Sequence, residues 1–135
     1  VIMYKLLQNQ AVRNFRNEIN ALGWEEAGKQ FPAVKASLDV RYIGSEKFTQ
    51  DMIVHYTHVA DIDANTDEDA FLVHNNPAGN PEFEARITRY GIQHSMSVGD
   101  ILVSEEGHLY MVEDMGFAYV GDATGYTTAT KSVIA

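Results

Sequence analysis

Three short apolar runs late in the chain alternate with polar connections that contain glycine. Branched residues in the first run favour a pleated strand, and each connection has glycine where a positive φ is needed. Strands joined by such tight turns predict an antiparallel meander. The predicted strands are Ile101–Val103, His108–Val112 and Phe117–Val120, with turns at Glu105–Gly107 and Asp114–Gly116.

The middle strand of this meander carries apolar side chains on both faces. Leu109 and Met111 point to one face, and Tyr110 and Val112 to the other. We therefore expect the sheet to be covered on both sides.

A helical period governs the first third of the chain. Val12, Phe15, Ile19 and Leu22 form one apolar stripe, which predicts a helix from Asn9 to Gly23 with glycine as its stop. Further helical turns are predicted for Trp24 to Gln30, and from Pro32 to Lys35 or Ala36. No element is assigned to residues 3–8. Residues 1 and 2 are left out, because Val1 ahead of a Met at position 3 indicates either expression remnants or an alternative start codon.

Apolar–polar alternation predicts strands in the middle of the chain. These are Ser37–Ile43 and Met52–Ile62, whereas Glu82–Tyr90 is ambiguous, with an alternation that favours a strand over a helix. His55 and His58 would point to opposite faces of the second strand, which disfavours a metal ion shared by this pair.

An acidic segment precedes a second helix near residues 67–75. Its spacing resembles a calcium loop, but Thr66 occupies the glycine position and Leu72 the position of the bidentate glutamate. We favour Thr66 as the N-cap with Asp69 completing a capping box. Phe71, Leu72 and Val73 are expected to bury this helix, and the breaker-rich residues 75–81 end it.

These elements predict a single α+β domain over residues 1–135. An N-terminal helical segment (9–36) packs on a mainly antiparallel sheet, within an α+β body (37–123) that ends in the C-terminal meander. Residues 124–135 are expected to be a frayed tail or a late strand.

Composition narrows the class of protein. A hydrophobic share of 45% predicts a folded chain. The chain has no Cys, which excludes disulfides and thiol catalysis, and no apolar run reaches the roughly 18 residues of a membrane span. We expect a soluble, unexported protein of the bacterial cytoplasm, with no cofactor and no metal.

The net charge of −9 is unevenly distributed. Residues 1–60 hold seven Lys/Arg and six Asp/Glu, whereas residues 61–135 hold three Lys/Arg and thirteen Asp/Glu. Such an acidic half disfavours direct nucleic-acid binding and favours either solubility alone or a basic protein partner. The candidate binding residues are Asp61, Asp63, Asp67, Glu68 and Asp69, with Arg13 and Arg16 on the first helix.

A histidine, two serines and an aspartate lie close together ahead of the meander. His94, Ser95, Ser97 and Asp100 contain the residue types of a hydrolase, but working triads gather residues that are distant in sequence. The serines and the aspartate are better explained as partners of backbone groups at the turn leading into the meander.

The segment His94-Ser-Met-Ser-Val-Gly-Asp-Ile101 is one of several short motifs that occur in a fixed order along the chain. It follows a Tyr-x-x-Val run at Tyr56, Phe71 in an acidic-start helix and then Asn75, and it precedes Tyr110-Met-Val112 and Gly116-Phe117. In this set, residues 56–120 resemble the YodL-like domain family of small proteins from plasmids, conjugative elements and phages. The chain departs from the family by Met96 in place of Leu and by a longer approach between Pro81 and Gln93.

The resemblance implies a mobile-element origin and a compact α+β domain, and it brings no catalytic residues. Its structural signature residues are His94, Ser95, Ser97, Gly99, Asp100, Gly116 and Phe117.

The leading functional prediction is a non-enzymatic accessory protein that binds a protein partner, such as a host defence or nucleic-acid-processing protein. One alternative is a small hydrolase or nucleotide-binding enzyme centred on His94 and Asp100. Another is an oligomerisation module built on the aromatic strands; the oligomeric state is left open.

Overall fold

A strand at the start of the chain forms the centre of the sheet. The computed structural model describes residues 2–123 and 127–128. Strand β1 (Ile2–Gln8) pairs antiparallel with β2 (Thr57–Ala64) on one side and with β4 (Ile101–Val103) on the other. Leaving Ile2 out and assigning no element to residues 3–8 was therefore wrong.

The strand order of the sheet is β3-β2-β1-β4-β5-β6. Strand β7 lies outside this order and pairs in parallel with β2. The remaining strands are β3 (Ile87–Arg89), β5 (His108–Val112), β6 (Phe117–Asp122) and β7 (Thr127–Thr128). Strands β4 to β6 confirm the predicted meander. The predicted tail falls mostly outside the described residues.

Both faces of the sheet are covered, as the sequence predicts. Leu6 and Leu102 belong to one buried cluster, whereas Leu7, Leu109 and Met111 belong to another. The first cluster includes Ala70 and Val73, which helix α5 (Asp67–Asn75) brings onto the sheet. The second cluster is closed by the irregular helical segments described below.

Helices occupy the chain between β1 and β2 and confirm the predicted N-terminal helical segment. Phe15 interrupts the first predicted helix, and its ring stacks on that of Phe31 with centroids 4.3 Å apart. Gly23 ends this pair of helices with φ +83°. The helices are α1 (Ala11–Asn14), α2 (Arg16–Leu22), α3 (Trp24–Gln30) and α4 (Pro32–Leu38).

The predicted strand Ser37–Ile43 is wrong. Helix α4 runs through Leu38 and passes into a π-helix, Asp39–Ile43, in which the Gly44 amide donates to the Asp39 carbonyl oxygen at 3.1 Å. Helical spacing lets Val34 and Leu38 pack in the same helical cluster. A 3₁₀ turn, Ser45–Lys47, follows.

Two other predicted strands begin too early. Residues Gln50–His55 form a 3₁₀ helix that buries Ile53, so β2 starts only at Thr57. Helix α6 (Pro81–Ala85) starts because the Asn80 side chain accepts a hydrogen bond from the Phe83 amide, and the strand β3 follows it.

Helix α5 has the predicted N-cap. Thr66 Oγ1 accepts a hydrogen bond from the Asp69 amide at 3.1 Å, and the Asp69 carboxylate accepts one from the Asn65 amide at 3.0 Å. The predicted burial is corrected in part, because Val73 is buried, Phe71 is half-buried and Leu72 is exposed.

Candidate functional site

The segment ahead of the meander is built around a buried carboxylate. Asp100 is 3% exposed, and its Oδ2 accepts hydrogen bonds from the Ser97 amide at 2.9 Å and from Gln8 Nε2 at 3.0 Å. Burial raises the pKa of Asp100 to about 7, although these hydrogen bonds act in the opposite direction. The predicted role of Asp100 as a partner of turn backbone is confirmed.

Residues from distant elements fix this segment. Tyr56 donates its hydroxyl to the Gly99 carbonyl oxygen at 2.6 Å. The Asn75 amide group donates to the Met96 carbonyl oxygen at 2.9 Å and accepts from the Met96 amide at 2.7 Å. The segment is therefore a packed junction between the sheet and helix α5.

The nucleophile arrangement of a hydrolase is not formed by the nearby serines. Ser97 Oγ donates to the Ser95 carbonyl oxygen at 2.9 Å, and His94 Nδ1 lies 2.8 Å from that same oxygen. His94 Nδ1 is 3.9 Å from Asp100 Oδ2. No hydroxyl in this segment donates to His94, so a base-activated serine is missing here.

The predicted acidic residues divide into engaged and outward-facing groups. Asp61 binds His58 Nε2 at 2.7 Å and the Tyr90 hydroxyl, and Asp69 binds Arg86 at 2.7 Å. These two carboxylates therefore hold strands and helices together.

Asp67 and Glu68 face outward from the first turn of α5. Partial burial and the adjacent carboxylate of Glu68 raise the pKa of Asp67 to about 6. The half-buried Asp63 accepts a hydrogen bond from Arg86 Nε through its backbone carbonyl.

An exposed apolar surface lies beside the β5–β6 turn. Tyr42 and Ile43 of the π-helix are 72% and 58% exposed, and Met115 at the turn is 90% exposed. All three line one cleft of about 330 Å³, which we call the turn groove. Its acidic residues are Glu46, Glu113 and Asp114.

The turn groove is held in shape by local hydrogen bonds. The Glu113 amide donates to the Gly116 carbonyl oxygen at 2.9 Å, with Gly116 at φ +79°. Ser45 Oγ donates to the Glu113 carboxylate and ties the 3₁₀ turn to the hairpin. Gly116 therefore has the predicted turn role, and Phe117 opens β6.

A smaller cleft continues on the other side of the same turn. It is about 210 Å³ in volume, with Phe71 and Phe117 as aromatic lining and Glu68 at its edge. Glu113 and Asp114 line both clefts, so the acidic turn separates two partly apolar depressions.

Arg13 and Arg16 lie in a different place from these acidic residues. They line two adjoining clefts together with His94, and Arg41 joins them in the smaller one. We call this region the arginine cleft. The candidate binding residues from the sequence therefore form two separate sets of side chains, because none of the acidic candidates lines the arginine cleft.

Sequence reasoning missed Arg41, Tyr42, Ile43 and Met115 as surface residues. The first three fall in the predicted strand Ser37–Ile43, and Met115 falls in the predicted turn Asp114–Gly116. A usable signal was available at Met115, because a large apolar residue at the tip of a polar turn has no core to enter.

Comparisons with known proteins give no relative: no family model, no curated protein and no solved structure matches the chain. In the part of the chain that the structure describes, no three His, Asp or Glu side chains are arranged to hold a metal ion. Among the same residues, no helix is both long and apolar enough to cross a membrane.

Proposed function

We propose that this protein is a non-enzymatic accessory protein of a phage or other mobile element, and that it acts by binding another protein. The observation that carries the proposal is the turn groove. Large apolar side chains are exposed together there on a hydrogen-bonded frame. Aromatic residues and methionine are enriched at protein interfaces, and exposed apolar clusters mark such sites.

The π-helix adds support for a working surface. π-helical turns are rare and occur often at functional sites, because the wider turn disrupts regular side-chain packing. Here the π-helix carries Tyr42 and Ile43 into solvent instead of the core.

Charge indicates the chemistry of the partner. Three acidic residues, Glu46, Glu113 and Asp114, line the turn groove beside its apolar side chains, against the single cation Arg41. A partner segment with one or two apolar side chains flanked by Lys or Arg would complement this surface. Proteins that process nucleic acid often present such basic surfaces, which makes them, with host defence proteins, the partner class that we propose.

The mobile-element origin rests on the resemblance of residues 56–120 to the YodL-like domain family. The residues that carry the resemblance are largely structural in this chain, as with Tyr56, Asn75 and Asp100. We therefore propose that the resemblance concerns the scaffold, and that residues outside the motif, above all Tyr42, help to choose the partner.

A comparative pull-down tests the proposal. The intact protein, a Tyr42→Ser/Met115→Ser variant and a control variant are immobilised, and retained proteins from bacterial lysate are quantified by mass spectrometry. The control is Leu22→Ser, which removes an apolar side chain that is 40% exposed on α2.

We expect one retained species whose yield falls at least about tenfold with the groove variant, as for interface anchors worth over 1 kcal/mol each. The control should retain that species fully. The proposal fails if no protein is retained, or if the groove variant retains the same species as well as the intact protein does.

A further inference from the structure

The arginine cleft gathers positive charge in an acidic protein. Arg13 lies on α1 and Arg16 on α2, and both side chains are exposed. Arg41 reaches the cleft from the π-helix, and His94 reaches it from the segment ahead of the meander. Three regions that are distant in sequence, at residues 13–16, 41 and 94, therefore place cationic or protonatable groups around one opening.

Within the described residues, the arginines of the cleft form none of the ion pairs that other arginines form. Arg86 pairs with Asp69 at 2.7 Å, and Arg89 pairs with Glu84. The ion pairs among the described residues include none of Arg13, Arg16 and Arg41. Arg41 does interact with the buried Asp100, since its charge lowers the pKa of that carboxyl. The like charges of the three arginines still repel one another around the opening, and a bound anion would relieve this repulsion.

His94 has a ring nitrogen that can bind a ligand in the arginine cleft. Its Nδ1 lies 2.8 Å from the Ser95 carbonyl oxygen, so Nδ1–H donates there. Nε2 is left at the outer edge of the ring, and it has no hydrogen-bond partner among the described residues. A protonated ring can donate Nε2–H to a ligand. Asp100 Oδ2 lies 3.9 Å from Nδ1 of the same ring.

We propose that the arginine cleft binds a small phosphomonoester, with Arg13, Arg16 and Arg41 contacting the phosphoryl oxygens and His94 Nε2 donating a further hydrogen bond. A guanidinium group matches two oxygens of a phosphate through parallel N–H donors. Three such groups suit a doubly charged anion with three terminal oxygens better than they suit a single carboxylate.

The size and charge of the cleft select a small ligand. The larger part, about 590 Å³ in volume, falls within the range of small-molecule sites, and the smaller part of about 200 Å³ adjoins it. Nucleic acid is disfavoured, because the chain has a net charge of −9 and the cations meet at one point instead of forming a stripe.

The test is a titration followed by amide NMR on the full chain. Inorganic phosphate, adenosine monophosphate and adenosine are added separately, and adenosine serves as the matched compound without phosphate. We expect the two phosphates to shift the amide signals of Arg13, Arg16, Arg41 and His94, whereas adenosine leaves them in place.

An Arg13→Gln/Arg16→Gln variant should bind both phosphates at least about tenfold more weakly, since charge-assisted hydrogen bonds are lost. These arginines are exposed, and the amide spectrum itself reports whether the variant is folded. Lys29→Gln is the control, because it removes one positive charge from an exposed lysine outside the cleft.

Three results would overturn the proposal. The first is no shift of the cleft amides in excess phosphate, and the second is an equal loss of affinity in the Lys29→Gln variant. The third is tighter binding of a short oligonucleotide than of adenosine monophosphate, which would assign the cleft to nucleic-acid backbone. Arg41 lines both the arginine cleft and the turn groove, but it is unchanged in both variants. Because Arg13, Arg16 and Lys29 do not line the turn groove, the failure of this proposal is distinguishable from a failure of the proposed protein partner.

Discussion

At the scale of single residues, the buried Asp100 predicts how stability depends on pH. The folded protein retains the proton of Asp100 up to a pKa of about 7, whereas the ordinary value is 3.8. Between these values the folded state binds more protons than the unfolded state, so the free energy of unfolding falls as pH rises. Once the pH exceeds the pKa of Asp100 in the folded protein, the free energy of unfolding no longer falls on account of this group.

The Asp100→Asn variant should remove this dependence. An asparagine oxygen in place of Oδ2 still accepts from the Ser97 amide and Gln8, without the cost of a buried charge. We expect the variant to exceed the wild type by a few kcal/mol in free energy of unfolding above pH 7, with the difference shrinking towards pH 4. Urea denaturation at several pH values measures this.

Asp67→Asn provides the comparison for Asp100. The pKa of Asp67 is raised to about 6, but this side chain is only partly buried, so its effect on stability should be smaller than that of Asp100. If Asp100→Asn destabilises the protein equally at all pH values, the carboxylate contributes a specific contact and not a charge cost.

Gly99 offers a second residue-level prediction. Its φ is +92°, and a Cβ added there would lie 3.2 Å from Val40 Cγ2. Gly79 has φ +72° with no atom within 4 Å of an added Cβ, so Gly79→Ala measures the backbone cost alone. That cost is about 1–2 kcal/mol.

Gly99→Ala should cost more than Gly79→Ala, because the core must also move around Val40. Thermal or urea unfolding of the two variants gives the difference directly. Equal losses of stability in the two variants would mean that the π-helix carrying Val40 can move to accommodate the added methyl group at no energetic cost.

At the scale of elements, the sequence predicts what is encoded locally. The meander has glycine turns at fixed spacing, and α5 has a capping threonine, so both are confirmed within a residue or two. Each of these signals acts over a few residues, and neighbouring elements do not override it.

The strand predicted at Ser37–Ile43 failed for a physical reason. Alternating Leu38, Val40 and Tyr42 suit a strand, but Val34 and Leu38 also suit a continuing helix. Which alternative forms depends on the packing of α4 against the other helices and on Val40 reaching the second cluster. Tertiary contacts therefore select the helix over the strand. The exposure of Tyr42 follows from that choice, and the local alternation of apolar and polar residues does not predict it.

Strand β1 was missed because it is stabilised by pairing with strands that are distant in sequence. Residues 2–8 pair with strands that begin at Thr57 and Ile101. The buried Gln8 donates to the His94 carbonyl oxygen at 2.8 Å, a contact that no local pattern indicates. The same applies to the arginine cleft, where Arg13 and Arg16 were predicted as binding residues but Arg41 was not.

At the scale of the whole molecule, β1 joins the two halves of the core. Leu6 and Leu7 are both fully buried and adjacent in sequence, yet Leu6 packs in the cluster under α5 and Leu7 packs in the cluster with Tyr56 and Met111. Because one strand contributes to both clusters and pairs with β2 and β4, neither cluster can lose its packing without disturbing the other.

Leu6→Ala and Leu7→Ala should therefore each lower the free energy of unfolding by about 2–5 kcal/mol, the usual cost of a buried leucine cavity. Amide hydrogen exchange at Ile62 in β2 and at Met111 in β5 should accelerate by the same factor in either variant, because both amides would exchange through one global opening. Met3→Ala is the control on the same strand, since Met3 is 43% exposed and its loss should change stability by less than about 0.5 kcal/mol. If Leu7→Ala accelerates exchange at Met111 and leaves Ile62 unchanged, the two sides of the sheet open independently and β1 does not couple them.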